Sequence, residues 1–241
     1  MLLQFVYQLM NVAWVAMSFS SIVAYLVISR LLKGESAREK ITDALFISGL
    51  IVLAIWKLSP LLLQPSLLLD NQVNLFTFLL STGTEPGLYI GVFAAICFMW
   101  HHIKKLGLPF HKLSEVLPFG VLTGFVVYHL LTQSVGKVTA MPWGIAVDQS
   151  SFRYHPIFVY QLLFGVVACI YMLWLKKTGK TINFASFLLW FSSFQIILTF
   201  LRYTAPFILG LSLQQIFFFG IAAAAIIASN NGSERTIDEE V

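Results

Sequence analysis

Long apolar stretches separated by short polar segments run along the whole chain of 241 residues. Their lengths, about 16–22 residues, suit helices that cross the hydrocarbon core of a membrane and exceed the strands of a membrane barrel. The pattern predicts seven helices: Met10–Leu32, Asp43–Leu63, Gly87–His102, Ser114–Thr132, Pro156–Leu175, Phe184–Leu201 and Leu211–Ala228. We therefore predict an all-α polytopic membrane protein, with one transmembrane domain over residues 1–228 and an acidic cytoplasmic tail over residues 229–241.

Lysine and arginine are unevenly distributed among the segments between these helices. Eleven of the fifteen lie in the first, third and fifth loops and in the tail. On the other side lie only Lys137, Arg153 and Arg202, and Lys57 falls within a helix. Because cytoplasmic loops of membrane proteins are enriched in these residues, the pattern predicts an outer N-terminus and a cytoplasmic C-terminus.

The composition excludes several classes of function. Hydrophobic residues make up 58% of the chain and charged residues 11%, whereas soluble domains carry about 25% charged residues. The net charge of +4 comes from cations in short loops, so it indicates topology rather than a nucleic-acid-binding surface. The sequence has no phosphate-binding loop, Cys-His cluster, HExxH motif or serine-nucleophile motif. We therefore expect no metal, no cofactor and no nucleic-acid partner.

Polar residues inside predicted helices are energetically costly, so they are the first candidates for a functional site. Lys57 and His129 lie in the outer halves of their helices, and Gln133 follows His129 by four residues, which predicts a shared helix face. Arg202 closes the sixth helix and Gln214 opens the seventh from the same side. A cationic, partly desolvated pocket at this depth suits a phospholipid headgroup, since arginine binds phosphate through two hydrogen bonds.

Each of these residues also has a purely structural explanation, which stays open. Lys57 and Arg202 could extend their charged ends to the outer headgroups. His129 could be a hydrogen-bonded packing residue, and Gln214 could cap the start of its helix. The common depth of the whole set is what favours a site.

Several motifs along the chain resemble those of bacterial prolipoprotein diacylglyceryl transferases. That family has a "Leu-Pro-Trp-Gly" stretch, an "Arg-His-Pro-x-x-x-Tyr-Glu" stretch, a "Phe-x-Arg … Gly-Leu-Ser-x-Gly-Gln" ending and an "Asp-Leu-Leu" opening of helix 2. In the same order, the similar segments here are Met141–Val147, Arg153–Pro156 with Tyr160-Gln161, Leu201-Arg202 with Leu211–Gln215, and Thr42–Phe46. The resemblance runs from about residue 40 to residue 228.

Two family signatures are not retained. The family has a "His-Gly-Gly-Leu" stretch where this chain has Thr84–Gly91, which contains no histidine. The family's helix-4 pattern, "Gly-Arg-x-Gly-Asn-Phe-x-Asn-x-Glu", aligns with residues 124–133. Its arginine becomes Phe125 and its glutamate becomes Gln133, while its asparagines become Tyr128 and Leu131. Loss of an arginine that stabilises a leaving phosphate would cost several kcal/mol at the transition state.

The resemblance implies transfer of diacylglyceryl from phosphatidylglycerol to the lipobox cysteine thiol of a prolipoprotein, at the outer leaflet of a bacterial plasma membrane. The expected partners are a phosphatidylglycerol-like phospholipid and a prolipoprotein signal peptide. Arg202 would hold the phosphate and His129 would act as base. Residues expected to bind substrate are Lys57, Gln133, Trp143, Arg153, His155, Tyr160 and Gln214.

Two alternatives remain at this point. One is a non-catalytic lipid- or lipoprotein-binding protein of the same fold. The other is a small-solute carrier or a structural membrane partner. A carrier should have paired broken helices and charges near the membrane midplane, and the sequence pattern indicates neither.

Overall fold

A computed structural model describes residues 13–63, 83–107, 110–147, 151–180 and 183–238. Within these residues the chain forms seven helices and two short antiparallel hairpins. The helices are α1 Ala13–Leu31, α2 Arg38–Leu63, α3 Glu85–Leu106, α4 Phe110–Leu131, α5 Ile157–Lys177, α6 Phe184–Thr199 and α7 Leu213–Asp238. The strands are β1 Ile145–Ala146, β2 Arg153–Tyr154, β3 Pro206–Ile208 and β4 Leu211–Ser212.

Each of the seven predicted helices has a counterpart among α1 to α7, so the prediction of an all-α, multi-pass architecture is confirmed. Four helices, α2 to α5, are long and apolar enough to cross a membrane. The apolar parts of α1, α6 and α7 are shorter, at Val15–Leu31, Phe184–Thr199 and Leu213–Ser229. Which side of the membrane each terminus faces stays a prediction.

Some helix ends differ from the predicted bounds. α2 begins at Arg38 rather than Asp43, and α3 ends at Leu106 rather than His102. Charged residues in these extensions are good helix formers, so they continue the helix past its apolar part. Gly107 then ends α3 in the left-handed conformation, with φ of 59°. A prediction based on apolar stretches alone does not include these charged extensions.

The chain divides into two compact units, residues 1–132 and residues 133–241. Unit 1 contains α1 to α4, and unit 2 contains both hairpins and α5 to α7. The single transmembrane domain predicted over residues 1–228 stays a prediction.

In unit 1, α3 lies very close to α2 because glycines face the contact. A Cβ atom at Gly87 would come within 2.1 Å of the Ser59 Cβ, and one at Gly91 would come within 3.1 Å of the Val52 carbonyl oxygen. Small residues spaced by four let membrane helices approach until their backbones touch. The Gly87 and Gly91 pair therefore fixes the α2–α3 spacing.

We expect Gly87→Val to destabilise unit 1 by about 1–3 kcal/mol, because the added side chain overlaps Ser59 in a tightly packed contact. The measurement is the thermal unfolding midpoint of the detergent-purified protein. Gly49→Val on α2 is the matched control, since a Cβ there meets nothing within 4 Å. Equal midpoints for the two variants would contradict the assigned helix contact.

One end of unit 1 is held by an apolar cluster and an ion pair. The buried side chains of this cluster are Ile28, Leu32, Ile41, Ile103, Leu113 and Val116. Beside it, the Lys112 Nζ lies 3.2 Å from the Glu35 Oε1. The basic segments that follow α1 and α3 therefore lie at the same end of unit 1, as the distribution of loop charges requires.

Candidate functional site

An extended segment at the start of unit 2 joins the beginning of α5 to the end of α6. The Gly136 backbone N–H donates to the His155 carbonyl oxygen over 2.8 Å, and the His155 N–H donates to the Lys137 carbonyl oxygen over 3.0 Å. The Lys137 N–H donates to the Leu201 carbonyl oxygen over 2.7 Å. The backbone thus places Lys137 beside His155 and beside the residue that precedes Arg202.

Glycine is required at position 136 for this arrangement. A Cβ atom there would come within 2.2 Å of the Leu201 carbonyl oxygen and within 3.0 Å of the Ile157 side chain. The close passage of the segment over the start of α5 therefore depends on the missing side chain. Gly136 is buried, and it has a structural rather than a chemical part in the site.

A chain of side-chain hydrogen bonds lies at the start of α5. The Trp143 indole Nε1–H donates to the Tyr160 Oη over 2.9 Å. The His155 Nδ1 lies 3.1 Å from the same Tyr160 oxygen, with the donor set by the tautomer of the imidazole. The Tyr160 phenol therefore links Trp143 and His155, two other candidate residues from the sequence.

The loop that carries Trp143 is fixed by the β1–β2 hairpin. In this hairpin Ile145 pairs with Tyr154 and Ala146 pairs with Arg153. The Arg153 Nη1 also donates to the Pro142 carbonyl oxygen over 3.0 Å. Arg153 is exposed, and the contact that the structure gives it holds the Trp143 loop in place.

An open, mostly apolar groove of about 810 Å³ runs between α5 and α6 from this hydrogen-bonded group. Trp143, His155 and Tyr160 line one end, and the wall formed by α5 continues as far as Tyr171. Tyr160 and Tyr171 are eleven residues apart in one helix, so this wall is roughly 16 Å long at about 1.5 Å per residue.

Aromatic side chains separate the two helices that form the groove. Phe164 of α5 stacks on Phe194 of α6 with ring centroids 3.9 Å apart and planes 4° from parallel. The Phe164 ring also contacts Trp190 edge-on, with centroids 5.4 Å apart. These rings, together with Leu163 and Val167, give the groove an apolar lining. A ligand with an apolar chain and a polar end fits such a groove.

Arg202 follows α6 and is not among the residues that line the groove. It comes directly after Leu201, which lies at the end of the groove near Trp143 and His155, here called the groove mouth. The helix ends at Thr199, and the Arg202 backbone N–H donates to the Thr199 carbonyl oxygen over 3.2 Å. The preceding residue, Leu201, lines the groove, and Arg202 itself is half-buried. Gln214, also half-buried, lies in the first turn of α7.

The glutamine that follows Gln214 has a structural explanation. The Ser212 N–H donates to the Gln215 Oε1 over 2.9 Å, and the Gln215 N–H donates to the Ser212 Oγ over 3.2 Å. This reciprocal pair is a capping box that satisfies the free backbone donors at the start of α7.

The prediction that Gln133 shares a helix face with His129 is wrong. α4 ends at Leu131, and exposed Gln133 begins the extended segment of unit 2. The backbone leaves the helix because its next groups bond elsewhere. The Phe158 N–H donates to the Ser134 carbonyl oxygen over 3.1 Å.

His129 and Lys57 belong to unit 1. His129 is 7% exposed, and its ring contacts the rings of Phe125 and Tyr128 with centroids 4.5 Å and 5.0 Å apart. Lys57 is half-buried on α2. The expectation that both share one cavity with the unit 2 residues stays a prediction.

Sequence reasoning did not place Lys137 or the α5–α6 groove in the site. Lys137 is exposed, and its only signal in the sequence was its membership of the few cations on the predicted outer side. The groove depends on the stacking of side chains from two helices, which hydropathy does not report. Among the described residues, no group of three or more His, Cys, Asp or Glu is arranged to hold a metal ion.

Comparison with known proteins adds two findings. Residues 5–229 match the family model described as prolipoprotein diacylglyceryl transferase. The phosphatidylglycerol–prolipoprotein diacylglyceryl transferase of Cutibacterium acnes (strain DSM 16379 / KPA171202) is 25% identical over 104 residues. That alignment covers 36% of this chain and 35% of the relative, so the match spans about a third of its length.

Proposed function

The chain belongs to the prolipoprotein diacylglyceryl transferase family, and from that premise we propose that it binds a phosphatidylglycerol-like phospholipid in the α5–α6 groove and transfers its diacylglyceryl group to the lipobox cysteine thiol of a prolipoprotein. The reaction would take place at the outer leaflet of a bacterial plasma membrane. This location follows the predicted orientation, in which the start of α5 and the end of α6 face outward.

The groove is the observation that carries this proposal. Its lining is mostly apolar, and the hydrogen-bonded group of Trp143, Tyr160 and His155 lies at one end. A phospholipid has the same division between acyl chain and headgroup. The backbone bond between Lys137 and Leu201 lies at this end of the groove, and Arg202 follows Leu201. We propose that the side chains of Lys137 and Arg202 both reach a headgroup bound there. Two cations there suit a phosphate.

In the proposed reaction a carbon–sulfur bond forms between the glyceryl carbon of the lipid and the cysteine sulfur. The bond from that carbon to the phosphate oxygen breaks, and glycerol phosphate leaves with the electron pair. The thiol proton goes to a base. Arg202 and Lys137 would stabilise the charge on the leaving phosphate. His155 is the imidazole at the groove, and His129 in unit 1 is the second candidate base.

A second candidate function is phospholipid binding without transfer. It is favoured by Phe125, which stands where the family pattern has an arginine and contacts the ring of buried His129. A phenyl ring cannot stabilise a leaving phosphate. Binding in the groove does not depend on that position, so a relative without transfer activity could keep its lipid.

Expression in cells depleted of their own transferase tests both candidates. Prolipoprotein lipidation is followed by gel shift, and lipids that co-purify with the protein are identified by mass spectrometry. Restored lipidation supports transfer. Co-purified phosphatidylglycerol without lipidation supports binding alone, and absence of both overturns the two candidates together.

Lys137→Ala is expected to lower the rate of transfer about tenfold, equivalent to about 1.4 kcal/mol. The substitution removes one cation beside the proposed phosphate position while the Lys137 backbone bonds to Leu201 and His155 remain. Lys137→Arg, which keeps the charge, is the matched variant. The assignment fails if both variants transfer lipid as fast as the wild type at low salt, where charge effects are largest.

A further inference from the structure

The connection between α6 and α7 is a hairpin with an apolar tip. We propose that this hairpin, Tyr203–Ser212, is a membrane-interface anchor whose side chains at Tyr203, Phe207, Ile208 and Leu209 insert among the lipids at the mouth of the α5–α6 groove. The inference rests on the geometry of unit 2 and not on the transfer reaction.

The hairpin exposes apolar side chains where a water-facing turn exposes polar ones. Leu209 is 94% exposed, and Tyr203, Phe207 and Ile208 are each more than half exposed. Residues 203–212 contain no charged residue. A contiguous exposed apolar surface of this kind marks a contact with a membrane or a partner.

The turn residue itself is unusual. Leu209 and Gly210 form a two-residue turn between the paired Ile208 and Leu211, with φ of 50° and 77°. A turn with positive φ at both central residues favours Asn-Gly or Asp-Gly, and leucine is strained there. Because Leu209 is 94% exposed, its side chain packs little against the described residues. The proposed contact with lipid would stabilise this strained residue.

The length of α6 is compatible with a hairpin near the membrane surface. α6 has 16 residues, which span roughly 24 Å at about 1.5 Å per residue. The hydrocarbon core is about 30 Å thick, so α6 does not cross it alone, and a segment that adjoins the helix must lie near the edge of the core. The hairpin satisfies part of its own backbone by the β3–β4 pairing. An apolar, self-paired hairpin suits the boundary between headgroups and acyl chains.

The hairpin lies at the same end of unit 2 as the groove mouth. It follows Leu201, which lines the groove and accepts a hydrogen bond from the Lys137 N–H. Lipid is the favoured occupant over another protein because the hairpin joins two apolar helices and the adjacent charge, Arg202, suits lipid phosphates.

Spin labelling of the full-length protein in phosphatidylglycerol-containing nanodiscs tests the proposal. A nitroxide is attached at Ile208→Cys, with Cys97 and Cys169 replaced by alanine. Lys180→Cys, in the charged turn after α5, is the control. We expect the label at position 208 to be accessible to oxygen and shielded from a water-soluble nickel reagent, and the label at position 180 to show the reverse.

Two other results overturn the anchor. If the label at position 208 is as accessible to the nickel reagent as the label at position 180, the hairpin lies in water. Shielding from both reagents places it against another protein or a second copy of the chain. Leu209→Asn supplies an independent check, because asparagine suits the positive φ and should preserve or raise the thermal midpoint. The same variant should shift the 208 label towards the nickel-accessible range, and an unchanged label excludes Leu209 as an anchor.

Discussion

Arg202→Ala is expected to lower the rate of diacylglyceryl transfer by roughly 10²–10³-fold, the usual effect of removing one group that stabilises developing charge. Arg202 lies directly after Leu201, which lines the groove. Its planar guanidinium presents two parallel N–H groups that match two oxygens of one phosphate, a geometry that a lysine ammonium lacks. Arg202→Lys should therefore retain only part of the activity. The measurement is transfer to a prolipoprotein substrate by purified protein in phosphatidylglycerol vesicles.

Lys180→Ala is the control that distinguishes an effect of net charge on transfer from a local effect of Arg202. Lys180 belongs to unit 2 and lies over the Trp174 ring, 5.4 Å from its centroid, at the far end of α5 from the groove mouth. Its removal changes the net charge by the same amount and should leave transfer near the wild-type rate. Arg153→Ala should have an intermediate effect, because its bond to Pro142 holds the Trp143 loop. If Arg202→Ala and Lys180→Ala lower the rate of transfer equally, Arg202 does not bind the phosphate specifically.

The helices could be predicted from the sequence because hydropathy is a local property. An apolar stretch long enough to cross a membrane must form a helix to satisfy its own backbone. The error at Gln133 has the opposite origin. α4 ends where the chain begins to bond with residues that follow it by more than twenty positions, such as Phe158 with Ser134. A periodicity rule does not contain such distant pairings.

The hydrogen-bonded group at the start of α5 was found through its motif, not through periodicity. Trp143, His155 and Tyr160 fall in one short stretch that resembles a known family, and the structure links them. Lys137 has no motif, and a backbone bond to Leu201, 64 residues away in the chain, brings it to this group. Side chains placed by distant backbone contacts are the ones that a single sequence does not reveal.

The α5–α6 groove offers a test that does not involve any charged residue. Val167 lines the groove and is 57% exposed, so a larger side chain there extends into open space rather than into packed core. Val166, the adjacent residue, is 45% exposed and does not line the groove. Tryptophan at either position adds the same volume to the same helix, yet only one of the two occupies the proposed acyl-chain path.

Val167→Trp is expected to lower both phosphatidylglycerol co-purification and transfer about 100-fold. Displacing roughly four methylene groups at ~0.8 kcal/mol each costs ~3 kcal/mol of binding free energy. Val166→Trp should bind and transfer like the wild type, with an unchanged thermal midpoint for both variants. If transfer falls without loss of bound lipid, the groove serves the acceptor rather than the donor. If neither transfer nor bound lipid falls, the phospholipid binds elsewhere. The hydrogen bonds among Trp143, Tyr160 and His155 then serve only to hold the loop that carries Trp143.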